Sequence, residues 1–354
     1  MNILHISRTM GQGGAEKVVY QICKESHHNN NMIIASTGGA YEEELAKKNI
    51  KHYIIPDIDN KNPIKILKTF LILRKIIKTE KIDIIHSHHR MAAFYSRLLT
   101  LFHKNIKRVY TAHNVFFNKK KLLRFALKGS IIIAVGNGVK KNLIEEYQID
   151  EKNITIIYNS IEIPKTIQKT QDDFLKQKED KIYIATIGRL SEQKGIDIYL
   201  KAITPIIQKN KKVYGIIIGD GELKEDMIEL TKQLKIEKNI LFLGYRKDVL
   251  ELISSMDFIV LSSRWEGFPL TPIETFAMKK TIIVSNIDGN NEIVRENENG
   301  LLFEKDNIQE LTEKMNKLIE NDRKKLEENA YKDYQEKYSY KTFIDNYNKI
   351  YNNI

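Results

Sequence analysis

Short runs of apolar, β-branched residues alternate along this chain with stretches in which apolar positions recur every three or four residues. The runs at 2–7, 32–36, 51–55, 82–86, 107–111, 131–135 and 154–157 predict strands. Between them, 15–26, 63–80 and 138–147 carry the helical period. Strands that are apolar throughout and separated by helices predict a parallel sheet covered on both faces. The alternation stops at 160–180, where Pro164 and a run of Lys, Gln, Thr and Asp have no period and read as a linker. It restarts with apolar runs at 181–187, 213–219, 240–243, 258–261, 281–284 and 301–303. The pattern therefore predicts two doubly wound α/β domains in tandem, 1–163 and 181–337, joined by a linker at 164–180. After Ile308 the chain reads as helical and highly charged, ending in one aromatic helix at 331–354. Tyr334, Tyr338, Phe343, Tyr347 and Tyr351 of that helix need a place to be buried, and segment 338–354 is expected to pack back on the first domain.

Composition narrows the reading. Hydrophobic residues make up 42% of 354 positions, enough for two cores, so disorder is excluded. The single cysteine, Cys23, excludes an intrachain disulfide framework and thiolate metal clusters, and is expected to fill space on the first helix. The opening MNILHIS runs straight into a strand without the order of a signal peptide, and Lys or Arg interrupts every apolar run. No window approaches the ~20 apolar residues of a membrane span, and a cytoplasmic protein is expected. The net charge of +11 is uneven: residues 1–165 hold 27 Lys and Arg against 14 Asp and Glu, the remainder 30 against 32. The first half therefore suits an anionic partner, either nucleic acid or an acidic membrane leaflet.

Open parallel sheets bind ligands at the carboxyl ends of their strands, which directs attention to the loops that follow them. After the first strand, GQGGAE at 11–16 opens a helix. Gly13 and Gly14 there could admit a ligand or simply make a turn. The first strand of the second domain ends in GRLSEQKG at 188–195, where Arg189 and Lys194 suit a diphosphate, a forked cation and a point charge in one glycine-bounded loop. Two solvated loop cations are the plain alternative. The stretch EGFPLTPIE at 266–274 brackets a stiff turn with Glu266 and Glu274. Amides at Gly267, Phe268, Leu270 and Thr271 there would converge on an anion or on sugar hydroxyls. His86, His88 and His89 could suggest a metal, but no carboxylate set accompanies them, and acceptor-side contacts or a structural role are preferred.

With DIIHSHH at 83–89, TAHN at 111–114, YNSI at 158–161, IIGDGEL at 217–223 and SSRWEGFPLTPIE at 262–274, the chain resembles glycosyltransferase family 4 over essentially its whole length. The resemblance implies the GT-B fold, two Rossmann-like domains facing a central cleft, and retaining, metal-independent transfer from a nucleotide-sugar, with UDP favoured over GDP and no cofactor. By that match Arg189 and Lys194 hold the diphosphate, Glu274 accepts from the ribose hydroxyls, and Tyr245 with Arg246 edges the nucleobase. Glu266, with the amides of Gly267 and Phe268, contacts the donor sugar, while amides near Leu270 and Thr271 reach the phosphates. Gly13 and Gly14 fall on the donor side, and His113 lies near the reacting centre, where it can hydrogen-bond a sugar hydroxyl without being charged. Thr271 departs from the family, which commonly has an aliphatic residue there; its hydroxyl could add a phosphate contact.

A sugar-nucleotide epimerase remains the rival reading within this fold, and a basic nucleic-acid- or membrane-binding protein the rival of another class. Nucleic acid would leave the second-domain site unexplained. Segment 115–128 interleaves Phe116, Phe117, Leu122, Leu123, Phe125 and Leu127 with Lys119, Lys120, Lys121, Arg124 and Lys128. Such a segment can lie in a headgroup region, with an ordinary crossover helix as the alternative. A glycan or lipid-linked acceptor at the inner leaflet is the corresponding expectation, in the synthesis of a surface polysaccharide.

Overall fold

Strands buried on both faces need partners on both sides, and every strand pair among the described residues is parallel. The computed structural model describes residues 1–11, 13–27, 30–164, 166–167, 172 and 180–354, so most of the linker expected at 164–180 lies outside the described residues. The chain divides into an N-terminal unit, residues 1–161 with 340–354, and a C-terminal unit, residues 162–339.

The N-terminal unit begins β1 (Asn2–Ile6), α1 (Gly14–Ser26), β2 (Asn31–Ser36), α2 (Glu42–Lys47) and β3 (Lys51–Ile54). It continues α3 (Pro63–Thr79), β4 (Ile84–Ser87), α4 (Arg90–Phe102), β5 (Lys107–Ala112), α5 (Lys120–Leu127), β6 (Ile131–Ala134), α6 (Asn137–Glu145) and β7 (Ile154–Ile156). Its sheet order is β3-β2-β1-β4-β5-β6-β7, so the winding reverses between β1 and β4. Leu73, Ile76 and Ile77 of α3 and Ala92, Tyr95 and Leu99 of α4 cover one face over Leu4, Ile6, Ile33 and Ile85. Each buried Leu or Ile among them contributes roughly 1.5–3 kcal/mol relative to exposure. Asn62 starts α3 by accepting from the Ile64 amide at 2.9 Å, with Pro63 in the first helical turn, where its missing N–H costs nothing.

The C-terminal unit contains β8 (Ile182–Ile187), α7 (Ile196–Lys209), β9 (Val213–Ile218), α8 (Lys224–Gln233), β10 (Ile240–Gly244), α9 (Val249–Ser255) and β11 (Phe258–Leu261). It then adds α10 (Leu270–Ala277), β12 (Ile282–Ser285), α11 (Asn290–Ile293), β13 (Leu301–Phe303), α12 (Ile308–Glu320) and α13 (Lys324–Lys337). The order β10-β9-β8-β11-β12-β13 repeats the same reversal, here between β8 and β11.

The single aromatic helix expected at 331–354 is instead two. It breaks after Lys337, and α14 (Tyr340–Asn352) starts anew. Tyr338 stays in the C-terminal unit, its ring 5.9 Å from that of Phe268. Phe343, Tyr347 and Tyr351 of α14 are buried in the N-terminal unit. The Tyr351 hydroxyl bonds His86 Nδ1 at 2.7 Å, and Ser26 at the end of α1 donates to Asn348 at 2.8 Å. A buried tyrosine hydroxyl usually finds a partner, and Tyr351 has one in His86.

Candidate active site

In the C-terminal unit the loops after β8 and β11 are stitched together at the strand reversal. Ser262 Oγ donates to Gly195 O at 2.7 Å, Arg264 N to Gln193 O at 2.7 Å, and Gln193 Nε2 to Trp265 O at 2.9 Å. Arg264 itself is held by Asp197 at 2.9 Å and Asp306 at 3.1 Å, and the Asp197 hydrogen bond holds its guanidinium pKa above the ordinary value. Gly195 turns the chain with φ +58, and a Cβ there would collide with the Ser262 carbonyl, so only glycine joins the loop to α7.

This stitching brings Lys194 and Glu266 together, 72 residues apart in sequence. Lys194 Nζ lies 2.5 Å from Glu266 Oε1, with side chains 18% and 7% exposed. Ser263 Oγ donates to the same oxygen at 2.6 Å, and Gln193 Nε2 reaches the other at 3.4 Å. A carboxylate so buried is tolerable because it is paired and hydrogen-bonded. Gly188 leaves room for the Lys194 stem, whose Cδ and Cε would lie 3.2 Å from a Cβ at that position. Arg189, by contrast, is exposed, and its side chain has no hydrogen bond or ion pair among the described residues.

Beside the pair, α10 starts at Leu270 after Pro269, with no side chain capping its N-terminus. The prolines at 269 and 272 lack N–H groups, but Leu270 and Thr271 keep theirs in the first turn, as an anion site requires. Thr271 and Glu274 are buried within α10, and Thr271 O accepts from Thr275 Oγ1 at 2.7 Å. Gly289, in the loop before α11, sits at φ +87, and a Cβ there would approach Gly267 O to 2.5 Å. Ser285 Oγ donates to Ser263 O at 2.5 Å, and Asn290 Nδ2 to Ser285 O at 3.0 Å, supporting the same turn from below.

Gln193, Ser262, Ser263, Arg264, Ser285 and Asn290 were not singled out from sequence. Only Ser263, a hydroxyl three residues before Glu266, offered a local signal. Tyr245 is 40% exposed at the end of edge strand β10. The Arg246 guanidinium is not left open to a base: it is gripped by Asp248 at 2.5 Å and Asp172 at 2.9 Å, which raise its pKa.

The N-terminal unit carries the other candidates. Gly13 caps α1 in an extended conformation, and Glu16 folds back against it while accepting from Thr9 Oγ1 at 2.7 Å. The first turn of α1, holding Gly14, thus already has a carboxylate of its own beside it. At the reversal between β1 and β4 lies a histidine cluster. His88 Nε2 bonds His5 Nδ1 at 2.9 Å, and His88 Nδ1 bonds His113 Nε2 at 3.0 Å. His86, next to them, is tied to Tyr351 and to Thr111 Oγ1, at 2.8 Å for the latter. Burial lowers all four pKa values, to about 3 for His5 and about 4 for His113, with His86 and His88 well below the ordinary value.

Ligand atoms of His5, His86 and His88 lie within 4.8 Å of one another, close enough to consider a metal. Of their six ring nitrogens, however, only His5 Nε2 lacks a hydrogen bond, and no carboxylate is in the group. The three rings are engaged mainly with one another, with His113 and with neighbouring hydroxyls. His89 stands apart as the N-cap of α4, accepting from the Met91 amide at 3.3 Å.

The basic segment is partly engaged. Lys120 pairs with Glu146 at 2.5 Å and Arg124 Nε donates to Tyr147 O at 3.0 Å, while Lys119 and Lys121 are exposed. Leu123, Ala126 and Leu127 of α5 are buried, so its apolar side faces the protein, with Phe117 and Phe125 left outward at 70% and 43%. A second surface was missed from sequence: α3 exposes Ile64, Leu67 and Leu71 on one side and contains no acidic residue.

Residues 167–333 match the family model for glycosyl transferases group 1, and residues 12–164 that for glycosyltransferase family 4. Over 281 residues the chain is 30% identical to the UDP-Gal:alpha-D-GlcNAc-diphosphoundecaprenol alpha-1,3-galactosyltransferase of Escherichia coli, covering 73% of this chain and 72% of that one. It is 25% identical over 333 residues to the N-acetylgalactosamine-N,N'-diacetylbacillosaminyl-diphospho-undecaprenol 4-alpha-N-acetylgalactosaminyltransferase of Campylobacter jejuni, covering 89% of each. The crystal structure of Anabaena HepE in complex with UDP and glucose shares the fold, with a TM-score of 0.86 over 99% of both chains at 19% identity.

Proposed function

Because the chain belongs to glycosyltransferase family 4, we propose that it transfers a sugar from a UDP-sugar to a lipid-linked acceptor, with retention and without a metal, in surface-polysaccharide synthesis. The Lys194–Glu266 pair beside the uncapped start of α10 carries this reading. It sets a cation, a carboxylate and the amides of an uncapped helix start at one strand reversal, the chemistry a sugar diphosphate needs. Support for the donor and acceptor classes comes from the galactosyltransferase named for UDP-Gal and a diphosphoundecaprenol acceptor, and from HepE bound to UDP and glucose.

In the proposed reaction the bond from the sugar C1 to the diphosphate oxygen breaks, and its electron pair leaves with UDP. The acceptor hydroxyl oxygen bonds C1 on the same face, and its proton passes to the departing phosphate oxygen. Arg189, Lys194 and the amides of Leu270 and Thr271 hold the charge that develops there. Glu266 orients sugar hydroxyls, Glu274 the ribose, and His113 meets the donor sugar as a neutral imidazole. Gly267, Phe268 and Tyr245 complete the donor contacts. Lys194 must exchange part of its contact with Glu266 for phosphate, so the pair presets both side chains.

Incubation with labelled UDP-, GDP- and ADP-sugars and a polyprenyl diphosphate-sugar acceptor tests the proposal. An α-linked product from an α-linked UDP donor, unaffected by EDTA, is expected. An inverted anomer refutes retention, loss with EDTA reversed by manganese refutes metal independence, and interconversion of nucleotide-sugars makes the protein an epimerase.

For the lipid acceptor we place the membrane-facing surface on the N-terminal unit at the inner leaflet. Between residues 63 and 128 there are 16 Lys and Arg against 2 acidic residues, and α3 presents Ile64, Leu67 and Leu71, 76%, 58% and 52% exposed. No helix among the described residues is long and apolar enough to cross a membrane. Apolar side chains flanked by an excess of cations bind an anionic interface peripherally.

A further inference from the structure

Three rings, His5, His88 and His113, form a chain through two imidazole–imidazole hydrogen bonds, and each ring is neutral because burial disfavours the cation. A neutral imidazole has one N–H and one lone pair, so its two nitrogens must play opposite roles. His88 is bonded through both. If it accepts from His5 at Nε2 it must donate to His113 from Nδ1, and the reverse holds equally. The three rings therefore have only two arrangements, which differ at the ends of the chain. Those ends are His5 Nε2 and His113 Nδ1, both buried and without a hydrogen-bond partner among the described residues.

The surroundings choose between the two. His5 lies fully buried in β1, with the His86 ring 4.9 Å away and the Tyr351 ring edge-on at 6.3 Å. An N–H at His5 Nε2 would be a buried donor that no described residue satisfies, the rarer and costlier kind of orphan. A bare lone pair there is the lesser cost. His113 follows the end of β5 and is partly exposed as a residue, whereas His5 lies inside the sheet; its Nδ1 is covered at rest, so a sugar oxygen meets it only once that cover shifts on binding. We propose that His88 and His5 are positioning residues which fix His113 as the Nδ1–H tautomer, so that it meets a donor-sugar oxygen as a hydrogen-bond donor. The functional half of this rests on the reading of His113 as a donor-sugar contact. His86 takes no part in setting the direction. Its two nitrogens face the hydroxyls of Tyr351 and Thr111, which can each donate or accept, so it fits either arrangement.

The test combines imidazole nitrogen NMR of the histidine-labelled full chain with transfer kinetics. In the unsubstituted protein His113 is expected to carry its proton on Nδ1, and His88 likewise. His88→Leu removes the donor to His113, and is expected to mix the His113 tautomers and lower kcat about 100-fold at unchanged UDP affinity. His88→Gln, whose amide can both accept from His5 and donate to His113, is expected to recover most of that loss. A proton on His113 Nε2 in the unsubstituted protein overturns the proposal without any variant having to fold. So does a folded His88→Leu protein with full kcat. His113→Ala separates the two layers: if it turns over normally while the Nδ1–H tautomer is present in the parent protein, the functional reading of His113 fails and the tautomer assignment stands.

Discussion

The two units wind their sheets in the same order and load opposite chemistry onto the same place. Each reverses direction beside its first strand, between β1 and β4 in one and β8 and β11 in the other, and each gathers its candidate residues there. In the C-terminal unit these are opposed charges, Lys194 against Glu266. In the N-terminal unit they are imidazoles held neutral by burial, and all nine histidines of the chain lie at or before position 113. The reversal supplies a crevice whatever lines it. What lines it decides whether the crevice stabilises charge or only directs hydrogen bonds.

Acidification should separate the units most strongly. His5, His86, His88 and His113 have folded pKa values below the ordinary 6.5, so between that value and the folded ones the unfolded chain binds more protons. The stability these rings contribute is therefore fully present above pH 6.5 and is lost as pH drops toward 4. The C-terminal unit has no histidine but holds the only tryptophan, Trp265. Denaturant midpoints by Trp265 fluorescence and by far-ultraviolet circular dichroism should diverge between pH 7 and pH 5, dichroism moving lower. Parallel movement would break the contrast.

Next in size is the paired change Arg189→Ala with Lys194→Ala. It should lower kcat about 100- to 1,000-fold, because charge on the diphosphate grows as the bond breaks. Full turnover in the double variant would put the clamp elsewhere.

A smaller effect is expected for Glu274→Ala. On the proposed reading Glu274 accepts from two ribose hydroxyls in charge-assisted bonds, so UDP affinity should fall about 10-fold. Calorimetric titration reads it, and unchanged affinity removes the ribose assignment.

Smallest in folding free energy is replacement of Ile64, Leu67 and Leu71 by Ser. These side chains are exposed, so stability should move by no more than about 0.5 kcal/mol per site. Binding to anionic vesicles at low salt should nonetheless be lost. If instead Lys119→Ser with Lys121→Ser abolishes binding and the α3 changes do not, the surface belongs to the segment at 115–128.

Much of this was legible locally. The period of apolar residues marked every strand, since a strand buried on both faces must be apolar throughout whatever its neighbours are. The fold class and family followed from loops read at strand ends, above all EGFPLTPIE and GRLSEQKG. Composition, by contrast, pointed to the segment at 115–128 and passed over α3, because the period of Leu73, Ile76 and Ile77 reads as a core face and does not say that Ile64, Leu67 and Leu71 stay outside.

What the chain determined by itself was thus its alternation of strands and helices, its family and the residue types at its strand ends. These depend on near neighbours and on short motifs. Only the tertiary structure decided which of those residues face one another. Ser263 and Gln193 became partners of Glu266 through loops that meet because β8 pairs with β11. His5, an unremarked position inside the first strand, became the end of a three-ring chain because β1 pairs with β4 and sets His88 beside it, 83 residues away. The terminal segment divided into two helices whose rings are buried in different units, Tyr338 against Phe268 and Tyr351 against His86. Pairing, register and the satisfaction of buried polar atoms are properties of the assembled chain, and no local window contains them.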